Sequence, residues 1–310
     1  MPMKQLKTET ENELKIERIL HTKRYALTLD KNLCIGCGIC KTICPREAIE
    51  IKTIPKTAGQ KAKHPIINVD ELKCHYCGIC NSMCPFGALK VQIDGQYIIP
   101  VLKTESFPQL IREIEVDTKK CKPNANALAE CEEACPLKLI KASWRTPDGK
   151  EVKDLKSISN MENVSVFIDI KKDLCPCCRL CELKCPEDAI HVRKMFHGIL
   201  RINTEKCPEG CKDCVDVCPI TGTLYLSDDG KVHVNEASCV YCGTCKLVCP
   251  VEGALDFQRT YVHHTPVHSG AWNKALEKLT STTEMSKELK AKSAKKALES
   301  VEKRFARRAS

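Results

Sequence analysis

A chain of 310 residues that spends 24 of them on cysteine and only 5% on aromatic rings has little material for a conventional core. Without the cysteines its hydrophobic fraction drops from 43% to roughly 35%, thin for the two globular domains that length alone suggests. The formal net charge of +9 counts every thiol as neutral, and no stretch reaches the ~18 apolar residues of a membrane span, so neither nucleic acid nor membrane insertion follows from composition.

Residues 1–24 are polar and charged, with a weak helical pattern through Leu14, Ile16 and Ile19; they read as an N-terminal arm, frayed or docked. Nothing in them resembles a signal peptide, and the three-residue cysteine spacing that follows is foreign to disulfide frameworks. The expectation is a soluble cytoplasmic protein of a reducing cell. A short strand, Tyr25–Leu29, leads through Asp30 to Cys34, Cys37, Cys40 and Cys44-Pro45. Three cysteines at three-residue intervals, a fourth four residues later and then proline is the bacterial ferredoxin spacing for a 4Fe–4S cluster. A zinc knuckle needs only two Cys-x-x-Cys pairs and gains nothing from a third cysteine in phase. Gly36 and Gly38 let the loop bend where a side chain would obstruct.

The pattern recurs six times, its Cys-Pro pairs falling at Cys44, Cys84, Cys135, Cys185, Cys218 and Cys249. Asp30, Asp70, Asp117, Asn203 or Asn235 stands before five of the loops, where such side chains favour a turn; Lys171 takes the place in the fourth. A few helical residues beginning at the proline, then a short apolar strand as in residues 47–51 and 88–91, are expected after each Cys-Pro. Four repeats carry the full spacing, at Cys34/Cys37/Cys40/Cys44, Cys74/Cys77/Cys80/Cys84, Cys175/Cys178/Cys181/Cys185 and Cys239/Cys242/Cys245/Cys249. The fifth, Cys207/Cys211/Cys214/Cys218, has one extra residue. The third holds only Cys121, Cys131 and Cys135, with Leu128 in the second cysteine's slot, while Cys177 is surplus in the fourth.

Neighbouring repeats are expected to pair as two-cluster ferredoxin modules, each cluster taking three thiolates from one repeat and the last from its partner. The ligand sets are Cys34, Cys37, Cys40 and Cys84; Cys74, Cys77, Cys80 and Cys44; Cys121, Cys131 and Cys185, with Cys177 a candidate fourth; Cys175, Cys178, Cys181 and Cys135; Cys207, Cys211, Cys214 and Cys249; Cys239, Cys242, Cys245 and Cys218. Iron is thus the metal, in six 4Fe–4S clusters. The third site leaves open a non-cysteine ligand, a three-iron cluster or none, and a pairing of repeats four and five is the alternative register. The fold class is α+β: three tandem modules in series, residues 25–105, 106–202 and 203–260, each held by its clusters and largely unfolded without them. Thr53–Pro65 and Ser143–Val164 should be solvated surface loops.

Residues 261–310 form a C-terminal extension. His263, His264 and His268 have no acidic or cysteine companion nearby and read as surface histidines. Ser281 and Glu284 suggest a capping box opening a charged helix to about Ala306. The last 40 residues hold 11 Lys and Arg against 5 Glu. With each four-thiolate cluster at −2, six would turn the +9 to about −3, leaving an acidic body and a basic tail.

Catalytic residues are absent: the chain has no dinucleotide Gly-x-Gly-x-x-Gly, phosphate loop, nucleophile elbow or His-Glu-x-x-His. Cysteine-held clusters move electrons, so the chain reads as a wire needing a donor and an acceptor.

The segments Cys207-Pro-Glu-Gly-Cys-Lys-Asp-Cys-Val-Asp-Val-Cys-Pro219, Asp229-Gly-Lys-Val-His-Val-Asn235 and Cys239-Val-Tyr-Cys-Gly-Thr-Cys-Lys-Leu-Val-Cys-Pro250, with Arg259, His264-Thr-Pro and Ser269-Gly-Ala-Trp272, resemble the polyferredoxins of methanogenic archaea, and among these the polyferredoxin subunits of formylmethanofuran dehydrogenases. The general ferredoxin likeness covers residues 25–260, the specific one residues 203–280; six repeats depart from the eight clusters of that family. The resemblance implies relay of low-potential electrons to a molybdenum or tungsten pterin subunit that reduces CO2, in the first step of methanogenesis. A ferredoxin or a heterodisulfide reductase would be the donor. A polyferredoxin of an energy-converting hydrogenase and a free-standing electron store or iron–sulfur scaffold are the other readings.

Overall fold

Six cysteine loops alternate with short antiparallel strands in an α+β arrangement. The computed structural model describes residues 4–56, 59–121, 129–146, 148–152 and 165–281. Its first part runs β1 (Lys4–Glu9), β2 (Glu13–Ile19), β3 (Arg24–Asp30), α1 (Ile39–Ile43), β4 (Ile49–Lys52), β5 (Ile66–Val69), α2 (Ile79–Ser82), β6 (Leu89–Ile93), β7 (Gln96–Tyr97) and α3 (Pro100–Lys103). Next come β8 (Ile114–Val116), α4 (Glu130–Glu133), β9 (Ile140–Arg145), β10 (Glu151–Val152), β11 (Ser165–Ile170), α5 (Leu180–Leu183) and β12 (Ile190–Val192). The last part holds β13 (Phe196–Ile202), α6 (Asp213–Asp216), β14 (Leu224–Leu226), β15 (Val232–Val234), α7 (Thr244–Val248), β16 (Leu255–Val262) and α8 (Gly270–Thr280).

Strand pairing groups the repeats by twos. β3 pairs β6 and β4 pairs β5; β8 pairs β12 and β9 pairs β11; β13 pairs β16 and β14 pairs β15. In each group the first strand of one repeat joins the last strand of the other. Since β13 pairs with β16, the third group begins at Phe196, inside the stretch assigned from sequence to the second.

Each short helix runs from near the third cysteine of a loop towards the fourth, not onward from Cys-Pro as expected. Proline explains the difference: it pushes the residue before it out of the helical region. Cys44 (ψ 114°) and Cys249 (ψ 120°) are extended and stop α1 and α7.

Residues 4–19 are not a helical arm. β1 and β2 form a hairpin that widens the β3–β6 sheet to five strands. Leu14 and Ile16, two residues apart, face inward from β2 and are 2% and 1% exposed; burying each contributes about 1.5–3 kcal/mol. Lys4, Lys7 and Glu9 on the outer strand discourage further pairing at that edge.

The three tandem groups also pack against one another. One core runs through all of them, including Ile39 and Met83 from the first, Ile140 and Ile190 from the second, and Leu200, Leu255 and Phe257 from the third. The described residues of segment 53–65 form the exposed loop expected, but it is pinned across the molecule: Lys56 forms an ion pair with Asp213, Ala62 N–H donates to Asp216 (3.0 Å), and His64 Nε2 lies 3.1 Å from the Val217 carbonyl. Ser143 and Trp144 lie in β9, with Trp144 4% exposed; residues 153–164 of that insert lie outside the described residues.

The C-terminal extension closes the molecule. Leu110 bridges to His264, Ile111 N–H donates to the His263 carbonyl, and Thr265 N–H to that of Gln109. Ser269 Oγ caps α8 by accepting from Trp272 N–H, and Trp272 packs edge-on against Phe107 at 5.2 Å. His263 is buried, contrary to its expected place at the surface; His268 is exposed. The charged helix expected beyond Ser281 lies outside the described residues. Among the described residues no helix is long and apolar enough to cross a membrane.

Candidate iron–sulfur sites

Each loop is launched by a local device. The side-chain oxygen of Asp30 accepts from the N–H groups of Asn32 and Leu33, that of Asp70 from Leu72 and Lys73, and that of Asn203 from Glu205 and Lys206. Asp117 and Asn235 accept one such bond each, from Lys119 and Ala237. In the fourth loop a 3-10 turn at Lys172–Leu174 does the same work without a side-chain cap. Gly36 then takes φ +65°, and a Cβ there would lie 2.2 Å from the Pro65 carbonyl oxygen. No other residue fits that approach.

The loops bring the cysteines together in six groups. Cys34, Cys37 and Cys40 all feel the charge of Cys84, and Cys74, Cys77 and Cys80 that of Cys44. Cys121 and Cys131 gather with Cys185, and Cys175, Cys178 and Cys181 are close to one another with Cys135 beside Cys178. Cys207, Cys211 and Cys214 meet Cys249; Cys239, Cys242 and Cys245 meet Cys218. These groups are numbered one to six below, in that order. Each draws its last cysteine from the other repeat of its pair.

Cys177 goes elsewhere than the third group, where it stood as a candidate fourth ligand. At φ +56° it occupies the loop position that Gly36, Tyr76 and Tyr241 hold in the other repeats. Its thiol is buried beside Cys175 and Cys178. There it hydrogen-bonds the Cys175 sulfur and, with Arg112 nearby, brings that thiol down to about 7.

Many of the other buried thiols move the opposite way. Burial pushes Cys34, Cys74, Cys131, Cys178 and Cys218 up to about 11 and Cys181, Cys214 and Cys239 up to about 12. None of the 24 cysteines is in a disulfide. Such a crowd of dry thiols is costly to ionise by itself, and bound iron is what makes thiolates there stable.

Whether the residues fit a cubane cluster is tested by the N–H groups around the sulfurs. Ala48, Ala88, Leu139 and Ala189 N–H donate to the sulfurs of Cys44, Cys84, Cys135 and Cys185 at 3.3–3.4 Å. Tyr76 and Tyr241 N–H donate to Cys74 and Cys239. Donors aimed at sulfur are the outer contacts by which a protein steadies cluster thiolates. Among the described residues no three donors close around one metal ion, the arrangement a zinc knuckle needs. Four thiolates of a cubane instead stand on four separate irons. Groups one, two, four, five and six fit; the third offers three cysteines.

Sequence reasoning missed the cations on the loops. Arg18, from the N-terminal hairpin, donates to the Cys74 carbonyl (2.9 Å) and lies over the Tyr76 ring. Lys231 donates to the Cys207 carbonyl (2.7 Å). Arg112 donates to the carbonyls of both Cys84 (2.9 Å) and Cys175 (3.1 Å). These contacts join residues far apart in the chain, and no local pattern announces them.

Models of 4Fe–4S dicluster domains match residues 33–88 and 199–250. The polyferredoxin-like subunit of an aliphatic sulfonate oxidoreductase from Pyrococcus furiosus is 38% identical over 96 residues, 27% of this chain and 54% of that protein. Formate hydrogenlyase subunit 2 of Escherichia coli is 32% identical over 101 residues, covering 29% and 47%. The chain thus spans about half the length of the curated relatives it matches. A chain in the formate dehydrogenase–heterodisulfide reductase–formylmethanofuran dehydrogenase complex of Methanospirillum hungatei is similar over 89% of this chain and 91% of its own, with 31% identity and a TM-score of 0.75.

Proposed function

We propose that this chain, which belongs to the polyferredoxin-like proteins built from 4Fe–4S dicluster domains, is an electron-transfer subunit of an oxidoreductase complex. When bound, 4Fe–4S clusters accept and release single electrons at low potential. The chain's own part is to hold them by the six cysteine groups, shield them from water and aim N–H donors at their ligands. Each strand-paired group of repeats is one two-cluster module. Groups one, two, four, five and six carry complete cysteine sets; Cys121, Cys131 and Cys185 hold a sixth cluster with a non-cysteine fourth ligand.

The electrons go to the pterin subunit of a formylmethanofuran dehydrogenase, where CO2 is reduced. The observation that carries this is the match to the Methanospirillum hungatei assembly over nearly the whole of both chains. A heterodisulfide reductase or a ferredoxin is the donor. On this reading the substrate chemistry belongs to the partner.

Anaerobic affinity purification of the full chain from its native cells tests this. A molybdenum- or tungsten-containing pterin oxidoreductase is expected in stoichiometric amount. A nickel hydrogenase in its place, or a chain that runs alone on native sizing, overturns the assignment.

A further inference from the structure

The three modules meet at an apolar knot to which each brings one cysteine group. Ile35 and Phe86 from the first, Cys178 from the second, and Ile220, Val240 and Cys242 from the third are buried together, with Cys37, Cys84, Leu137, Leu180 and Cys218 packed around them. Groups one, four and six therefore meet at this knot. Thr244 Oγ donates to the Ile35 carbonyl (3.4 Å), joining the loops of groups one and six directly.

At that seam lies Arg259. It is 5% exposed, and among the described residues no carboxylate pairs with it. Its Nε donates to the Tyr241 carbonyl at 2.8 Å and an Nη to the Cys242 carbonyl. The guanidinium sits over the Phe257 and Phe196 rings, at 4.9 and 5.8 Å from their centres. The cysteines that feel its charge are Cys37 of group one and Cys242, Cys245 and Cys239 of group six. Carbonyls satisfy its donors but leave its net charge in place. A buried cation with no anion of its own is strongly unfavourable, so this one calls for negative charge on both sides.

We propose that Arg259 is a positioning residue that raises the reduction potential of groups one and six together, making them the matched pair through which electrons cross between the first and third modules. The inference rests on the reading of both groups as 4Fe–4S sites. Adding one electron takes such a site from −2 to −3 with no bond made or broken, and the Arg259 charge favours the more negative state. Because the guanidinium is dry, water screens little of that preference. Arg18 and Lys231, at groups two and five, are partly exposed, each donating to a single loop. Arg112 spans the seam between groups one and four, and Lys194, beside Cys239 and Cys178, that between four and six. Lys194 is buried too, but it has the Glu236 charge beside it, whereas among the described residues Arg259 pairs with no carboxylate.

The experiment is a potentiometric titration of the iron-loaded full chain, followed by electron paramagnetic resonance, for native protein and for R259Q, R259M and R259K. In R259Q and R259M two of the clusters should become harder to reduce by tenfold or more, a fall of about 59 mV for a one-electron couple, with the rest unmoved. R259K keeps the charge and should stay within tenfold of native. Full iron content with unmoved potentials in either neutral variant overturns the inference, as does an R259K shift as large as theirs. Methionine suits the aromatic slot and gives a second neutral probe if glutamine prevents loading; if neither loads, an iron-replete R259K shifted by tenfold or more still overturns it. Native protein that binds no iron would instead sink the iron–sulfur reading beneath it.

Discussion

The first and second modules use the same strand plan to different ends. In the first, all eight cysteines keep regular spacing, the hairpin β1–β2 extends the outer sheet, and Arg18 roofs the Cys74 loop. In the second, among the described residues, β8 and β12 make a sheet of two short strands, and Cys121 and Cys131 gather with Cys185 without a fourth cysteine of their own set. Yet β9 still pairs with β11 in register from Ile140–Ile170 to Arg145–Ser165. The strand frame thus survives the loss of a ligand, because it is held by backbone pairing and apolar packing rather than by the loop. Frame and ligands are separable.

Iron content gives the largest contrast. The native chain should carry about 24 irons, four per cubane in six sites. Replacing Cys80 by Ser should remove four and destabilise the first module, and replacing Cys131 by Ser should remove four while the second module stays folded. A native count near 20 that C131S leaves unchanged would mean the third site holds no cluster. Next in size is the clamp on the first module. Trp272→Ala empties a site only 2% exposed and should cost about 3–5 kcal/mol. Hydrogen exchange should rise in β3 and β6 more than in β8 and β12; equal rises in both would deny the clamp. The smallest effect compares loop leads. Asp70→Ala removes two hydrogen bonds and Asp117→Ala one, at about 0.5–1.5 kcal/mol each. Thermal melts of iron-loaded protein should therefore fall further for Asp70→Ala, and the reverse order would show the second module to be the more dependent on its turns.

What could be read from sequence was local. The Asx residues before five loops make the turns assigned to them, and β3, β4 and β6 fall where Tyr25–Leu29, residues 47–51 and residues 88–91 suggested. Leu14, Ile16 and Ile19 misled because their spacings of two and three suit either period, and only the neighbouring β3 decides for strand. The helix placement failed on a competing rule: proline suits a helix start, but it also bars the residue before it from a helix, and the second effect governs here. Lys56 with Asp213, His263 beneath the Ile111 backbone, and Arg259 between two loops were illegible for one reason. Each depends on how whole modules pack, and residues more than a hundred positions apart leave no common pattern. Spacing likewise left the partners of repeats four and five open, since which loop lends its last cysteine follows from pairings such as Leu29 with Leu89.

Arg259 and Cys37, neighbours across the seam, lie about 220 positions apart in the chain. A ribosome adding about 5–20 residues per second needs on the order of 10–40 s to travel that distance. Throughout that interval the first module's loop at the knot is without its cation, without Thr244 and without the helix α8 that packs on α1. Cubanes inserted as the chain emerges would meet water on an open face. Maturation of this protein is therefore expected to follow release from the ribosome, with the sites at the knot filled as the third module arrives to cover them.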